Sequence, residues 1–479
     1  KKIINLTIQK KTIFLLGTIV QKNNELFNSV LVIKNGKIIK NINKSILPNY
    51  GVFDEKRYFK QEERPQEKIK FKNLNFNIFI CEDFWSEKFV RSKEKRNADF
   101  NIVVNASPYD KEKFNDRIKL VKNRAKILKS PVLYLNLVGG QDDLVFDGGS
   151  FCINKKSNLI FQAPFFREYD DTFIFDFNKK SKKIKKNYNK FQNLYDALVL
   201  SFRDYMNGSG FSKALLGISG GIDSALCASI ACDAIGNRNI LGVFLPTKYT
   251  SSESLKDTEM LCKNLRIKVE HINIEYLRKE FNFTLKKSFK KLAKDVTEEN
   301  IQSRIRGSIL MAMSNKFNSI LITTGNKSEL AVGYSTIYGD MCGGYSILKD
   351  LYKSDAYRLS KWRNKNFTSL CKCKSLNIIP DNIIKKEPTA ELKFNQKDSD
   401  FLPSYDILDE ILYNIIDKNL SLKEIIKKGF KKELIIKIWE MIVKSEYKRF
   451  QSVIGPKVSK MNFDSDRRFP IVNRFEIDE

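Results

Sequence analysis

Short apolar runs separated by polar stretches rich in Lys and Glu recur through the first part of the chain. Ser29–Ile33, Asn77–Ile80, Asn101–Asn105, Val132–Leu137 and Gly149–Ile153 have the composition of strands, and several stretches between them suit helices. This half predicts an α/β layered domain. The apolar run Thr12–Val20, behind a Lys-rich opening, imitates a signal peptide. Gln-Lys-Asn-Asn-Glu follows where a small-residue cleavage site would stand, so the run predicts a buried strand. The chain opens on Lys and not Met, which leaves room for residues upstream.

Asn178–Lys190 (NKKSKKIKKNYNK) is charged and lacks hydrophobic periodicity, predicting a solvated linker between domains at 1–177 and 191–479. Beyond it, strands alternate with helices: Ala214–Ile218, a helix from Ser224, Ile240–Leu245, a helix from Ser252, Lys268–Ile274 and Ser319–Thr323. That order predicts a doubly wound parallel sheet. From Pro403 the pattern is mostly helical and ends in a basic tail. No apolar run approaches the ~18 residues of a membrane span.

The net charge of +29 raises the question of a nucleic-acid partner. Lys is enriched throughout, and its runs are not interleaved with aromatics, so the charge argues for solubility and no nucleic-acid partner is expected. Eight cysteines without a CxxC pair or a regular framework read as reduced thiols of a cytoplasmic protein. The single histidine, His271, restricts the chemistry more: a nucleophile here is served by Lys or a carboxylate.

Candidate chemistry begins at the strand Leu215–Ile218, which runs into Ser219-Gly220-Gly221-Ile222-Asp223-Ser224 and then a helix. Small residues at such a turn let backbone N–H groups close around phosphate oxygens at a helix N-terminus. Asp223 would repel phosphate unless a cation lay between them, which points to Mg²⁺. The loop lacks the Gly-Lys-Ser/Thr ending of a Walker A motif. It resembles the loop of the ATP pyrophosphatases, which cleave ATP between the α and β phosphates.

Two downstream segments narrow the class. In Thr297–Gly307 (TEENIQSRIRG), Thr297 is a helix cap, Ile301, Ile305 and Ile309 face inward, and Asn300, Arg304 and Arg306 are left as candidate ligand contacts. The strand Ile320–Thr323 leads into Thr324-Gly325-Asn326-Lys327-Ser328-Glu329, where Glu329 offers a second carboxylate for Mg²⁺. With CGGYSILKDLYK, the EPTAEL segment, Lys457 and DRRFPIVNRF, these resemble the NAD synthetases across nearly the whole second half. The resemblance implies that Gly217, Ile218, Ser219, Gly220, Gly221, Ile222, Asp223 and Ser224 hold ATP, joined by Thr324, Lys353 and Thr389. It places Asn300, Glu329 and Lys457 at deamido-NAD and Asp223 and Glu329 on Mg²⁺. It also implies an acyl-adenylate formed from ATP and deamido-NAD, then ammonia displacing AMP, in a homo-oligomer of octameric type. Ile347 departs from the pattern, standing where a proline is usual.

In the first half, Phe76–Ile80 runs into Cys81-Glu82-Asp83-Phe84-Trp85, and Lys44 opens Lys44–Arg57 (KSILPNYGVFDEKR). A Lys beside a Cys lowers the thiol pKa and can donate to an oxyanion. These segments resemble the nitrilase-fold glutaminase domain of glutamine-dependent NAD synthetases, an α-β-β-α sandwich that here lacks its start. The resemblance makes Cys81 the nucleophile and Lys44 the catalytic lysine, and gives glutamine binding to Tyr50, Ser107 and Lys113. Glu82 fits the acid after the nucleophile. The family's catalytic glutamate precedes the lysine motif; Glu25 is the one carboxylate before Lys44 and, in a polar turn, does not suit. On that ground the sequence predicts that ammonium serves better than glutamine.

Overall fold

The computed structural model describes residues 2–63, 68–94, 98–172, 174, 188–290 and 292–473. The chain divides into two compact units, one of Lys1–Gly139 with Phe146–Asn189 and one of Gly140–Val145 with Lys190–Glu479. Positions 178–187 of the expected linker lie outside the described residues. Its end is structured: Tyr188 stacks on Phe114, and Lys190 opens the helix Lys190–Gly208.

In the first unit, β1 (Phe14–Lys22), β2 (Glu25–Lys34) and β3 (Lys37–Asn43) form an antiparallel sheet. β4 (Ile69–Phe71), β5 (Leu74–Ile80), β6 (Phe100–Asn105) and β7 (Val132–Asn136) belong to a second sheet. The hairpin β8 (Val138–Gln141) and β9 (Leu144–Asp147) follows, then β10 (Phe151–Ile153) and β11 (Leu159–Gln162). The larger sheet has the order β11-β10-β7-β6-β5-β4, with β5, β6 and β7 parallel. Val30, Val32 and Ile42 of the small sheet pack on Phe76, Ile78, Ile80 and Ile102 of the large one, while Val121 and Ala125 of the helix Lys113–Leu128 cover its other face. Strand β1 corrects the sequence reading. It is an edge strand with no buried residue, and Ile19 is 60 % exposed, because only one face of a three-stranded sheet has a partner layer.

The second unit is built on a parallel sheet of β12 (Ala214–Gly217), β13 (Ile240–Phe244), β14 (Lys268–His271), β15 (Ile320–Thr323) and β16 (Tyr345–Ser346). Its order, β14-β13-β12-β15-β16, puts the first strand in the middle, as doubly wound sheets do. The helix Ile222–Ile235 is mostly apolar and buried at every residue but Asp223. The helix Val296–Phe317 starts earlier than the sequence predicted. Asp295, not Thr297, caps it, in a reciprocal capping box with Glu298. Ile301 and Ile305 are buried with Ile309 packed beside them, as their spacing required. Beyond Pro403 come the helices Tyr405–Ile416, Leu422–Ile426, Lys432–Lys444 and Glu446–Arg449, the first three of which share an apolar cluster with Ala331, Val332 and Tyr352. No helix of the described residues is long and apolar enough to cross a membrane. All eight cysteines are free.

Candidate active sites

At the carboxyl ends of β12, β13 and β15 a cleft of about 740 Å³ opens in the second unit. Parallel sheets place ligands there because the strand order reverses beside the central strand and leaves a crevice. Its wall includes the whole run Gly217–Ser224, together with Asn300, Thr324, Glu329, Lys353 and Thr389. The loop is held by its own hydroxyls: Ser224 Oγ donates to the Gly221 carbonyl at 3.0 Å and accepts from the Ser219 N–H at 3.3 Å. Gly220 has φ +79°, and a Cβ there would lie 2.7 Å from the Ser254 carbonyl oxygen, so only glycine fits.

Two carboxylates converge in this cleft. The Lys353 ammonium donates to Asp223 Oδ2 at 2.5 Å and to Glu329 Oε1 at 3.1 Å. Asn326 donates to Asp223 Oδ1 at 3.1 Å and caps the helix Lys327–Val332, whose third residue, Glu329, reaches back to the Asn326 N–H. Burial pushes the Glu329 carboxyl up to about 7 against the pull of Lys353, with Asp223 adding to the rise. Lys353, although desolvated, is held above its ordinary range by the two carboxylates. A site whose acid oxygens already meet on a cation fits Mg²⁺, which takes one or two carboxylates and completes its shell with phosphate oxygens and water. Among the described residues no group of three or more His, Cys, Asp or Glu could hold a metal without such help.

Around this pair, Asn300 accepts from the Thr336 hydroxyl at 2.8 Å, and the Thr389 hydroxyl donates to the Gln396 carbonyl at 2.6 Å. Of the two arginines, Arg306 lines the cleft with its Nε on the Leu245 carbonyl at 3.1 Å, and burial pushes it down to about 10. Arg304 is exposed, donates to the Ile337 carbonyl and is not among the cleft residues. Lys457, expected at the dinucleotide, is not among the residues that line the cleft. Its ammonium is buried on Asp466 at 2.5 Å and on the Ser459 and Lys460 carbonyls at 2.9 Å, because a buried charge needs a full set of partners. The departure at Ile347 is a fully buried side chain after β16.

The first unit brings its own candidates together. Cys81 directly follows β5 with φ +46°, a conformation that costs a non-glycine residue about 1–3 kcal/mol. Burial pushes its thiol up to about 11, opposed by the charges of Lys44 and Arg117 and reinforced by Glu82 and Glu55. Lys44 is 1 % exposed, and its ammonium meets Glu55 Oε1 at 2.5 Å. Glu55 follows Lys44 in the same segment; looking only upstream for a carboxylate missed it. The Tyr50 hydroxyl donates to Glu82 Oε2 at 3.0 Å, and the Lys113 ammonium lies 4.7 Å from the Trp85 ring centroid. Ser107 is fixed by Arg117, which donates to its carbonyl at 2.7 Å and is itself paired with the buried Asp147. Motif reading had no signal for Arg117 or for its pairing with Asp147, since the two stand thirty positions apart.

The NAD synthase family matches residues 194–452. A glutamine-dependent NAD(+) synthetase of Acinetobacter baylyi is 43 % identical over 460 residues, covering 95 % of this chain and 83 % of that protein. One from Thermotoga maritima is 39 % identical over 494 residues, 95 % of this chain and 84 % of that one. Among solved structures, the glutamine-dependent NAD+ synthetase of Acinetobacter baumannii in complex with ADP aligns with a TM-score of 0.75 at 39 % identity, covering 98 % of this chain and 86 % of that one. The fold is shared with the Cytophaga hutchinsonii enzyme of the same name at a TM-score of 0.80 and 20 % identity, over 96 % of this chain and 84 % of that chain.

Proposed function

This chain belongs to the glutamine-dependent NAD(+) synthetases, and from that premise we propose that it amidates deamido-NAD at the expense of ATP, drawing ammonia from glutamine. Glutamine hydrolysis is assigned to Lys1–Gly139 with Phe146–Asn189, and amidation to Gly140–Val145 with Lys190–Glu479. The observation that carries the reading is the convergence of Asp223 and Glu329 on one cation beside the Ser219–Ser224 turn.

In the second unit, loop N–H groups and Lys353 hold the triphosphate. The nicotinate carboxylate of deamido-NAD attacks the α-phosphorus, forming the acyl-adenylate and releasing pyrophosphate. Ammonia then adds at the acyl carbon, AMP departs, and the amide of NAD remains. Asp223 and Glu329 would hold Mg²⁺, whose charge neutralises the phosphate oxygens. Lys353, already in contact with both acids, keeps them from repelling the nucleotide.

In the first unit, Cys81 Sγ attacks the glutamine amide carbon, and the Lys44 ammonium faces the oxyanion that develops. Ammonia leaves, and water hydrolyses the thioester to glutamate. The expectation that ammonium serves better than glutamine is not favoured by the relatives that match 95 % of this chain, which are glutamine-dependent by name. Within the site, Glu55 supplies a carboxylate on Lys44 that the upstream search did not consider. The proposal extends to a cytoplasmic homo-oligomer, the octamer that the resemblance implies, which sedimentation velocity checks.

The test is purified protein with ATP, Mg²⁺, deamido-NAD and glutamine. The expected products are NAD, AMP, pyrophosphate and glutamate in equal amounts; release of ADP in place of AMP sinks the amidation reading.

A further inference from the structure

Lys44 and Cys81 sit on different sheets. Lys44 follows β3 of the small sheet, where its N–H donates to the Asn28 carbonyl at 2.8 Å; Cys81 follows β5 of the large one, where its N–H donates to the Val104 carbonyl at 3.0 Å. What presses the sheets together is apolar contact, Val30, Val32 and Ile42 against Ile78 and Ile80. Such contact is non-directional and tolerates small sliding. A lysine that must face an oxyanion on a cysteine adduct does not: a misplacement of about 1 Å costs on the order of 10²-fold.

Asp83 provides the direction. It is fully buried in the short helix Glu82–Trp85 immediately after Cys81. Its Oδ1 accepts the N–H of Ser45 at 3.0 Å and of Ile46 at 2.8 Å, and its Oδ2 the N–H of Ile80 at 3.4 Å. Two of these amides follow Lys44 and the third precedes Cys81. We propose that Asp83 is a positioning residue of the glutaminase reaction, a carboxylate clamp that fixes the Lys44 segment of one sheet against the Cys81 turn of the other. The inference rests on the glutaminase reading of the first unit.

Stability gives reason for an acceptor here, which the three amides require, but not for an ionisable acid in particular. Burial pushes Asp83 up to about 7 despite the three amides and the nearby Lys44 charge. An apolar residue of like volume would avoid that desolvation, at the loss of the three hydrogen bonds.

The test compares the full chain with Asp83→Leu and Asp83→Asn. Cys81 is alkylated by a glutamine-analogue chloroketone, in which the thiol sulfur displaces chloride, and glutamate release from glutamine is followed alongside. Unfolded molecules lower the amplitude of alkylation, whereas a misplaced Lys44 lowers the limiting rate constant of the folded ones. For Asp83→Leu the limiting alkylation rate and the glutaminase kcat are expected to fall about 30- to 100-fold, with the half-saturating concentrations changed less than about threefold. Asp83→Asn keeps an oxygen for Ser45 and Ile46 and is expected to recover most of that loss. Wild-type limiting rates in Asp83→Leu, a rise in half-saturation with unchanged rate, or Asp83→Asn as slow as Asp83→Leu each overturn the clamp. A wild-type chain that neither releases glutamate nor is alkylated overturns the glutaminase reading itself.

Discussion

Lys353 stands where Asp223 and Glu329 meet, and its removal and theirs have different expected effects. Asp223→Asn takes away a charge at the phosphate site but no packing, since the side chain lies in the cleft wall. NAD formation is expected to fall roughly a thousandfold, with the thermal midpoint within a few degrees of wild type; turnover near wild type would remove Asp223 from the reaction. Lys353→Met instead leaves two carboxylates facing each other without their cation. Their side chains are 16 % and 17 % exposed, which softens the penalty of a fully buried unpaired charge, so a loss of about 1–3 kcal/mol by denaturant titration is expected. Cys81 yields a pH prediction. Its thiol, raised to about 11 by burial, is neutral near pH 7, and its thiolate fraction grows about tenfold per pH unit below that value. Iodoacetamide labelling of Cys81, followed by mass spectrometry, is expected to climb through pH 7 to 10; a plateau near pH 8 would contradict the burial effect.

At the scale of elements, two turns do the placing, and they were unequally legible. The strand–Ser-Gly-Gly–helix turn announces itself, because only glycine takes φ +79° with the Ser254 backbone so near. Gly220→Ala is accordingly expected to cost about 1–3 kcal/mol and to raise the KM for ATP, measured by pyrophosphate release. The turn at Cys81 carries no glycine, so its positive φ had no sequence signal; it shows only in the folded backbone after β5. Caps behaved in the same way. The acids after Thr297 pointed to a helix start, yet Asp295 takes the cap because its side chain accepts from the Thr297 N–H at 2.8 Å. Strand β1 was apolar enough to read as buried, and lies on an edge because burial depends on what covers a face, not on hydrophobicity alone.

For the whole molecule, the two proposed chemistries are expected to be separable. Cys81→Ala is expected to abolish NAD formation from glutamine while ammonium chloride still supports it, assayed as AMP release with each donor; loss of both would argue against separate sites. The sequence by itself determined what local chemistry dictates. The doubly wound sheet followed from strands alternating with helices and the tight Ser219–Ser224 turn from small residues after a strand, and Thr324 and Asn300, singled out by their motifs, line the cleft beside it. Only the tertiary structure decided which charges meet. Lys353 reaches Asp223 across 130 positions, Asp83 reaches Ser45 across 38, and the buried Lys457 ammonium meets Asp466. The physical reason is that backbone preferences act between near neighbours in the chain. Desolvation and ion pairing act between neighbours in space, and those exist only once the sheets and helices have packed.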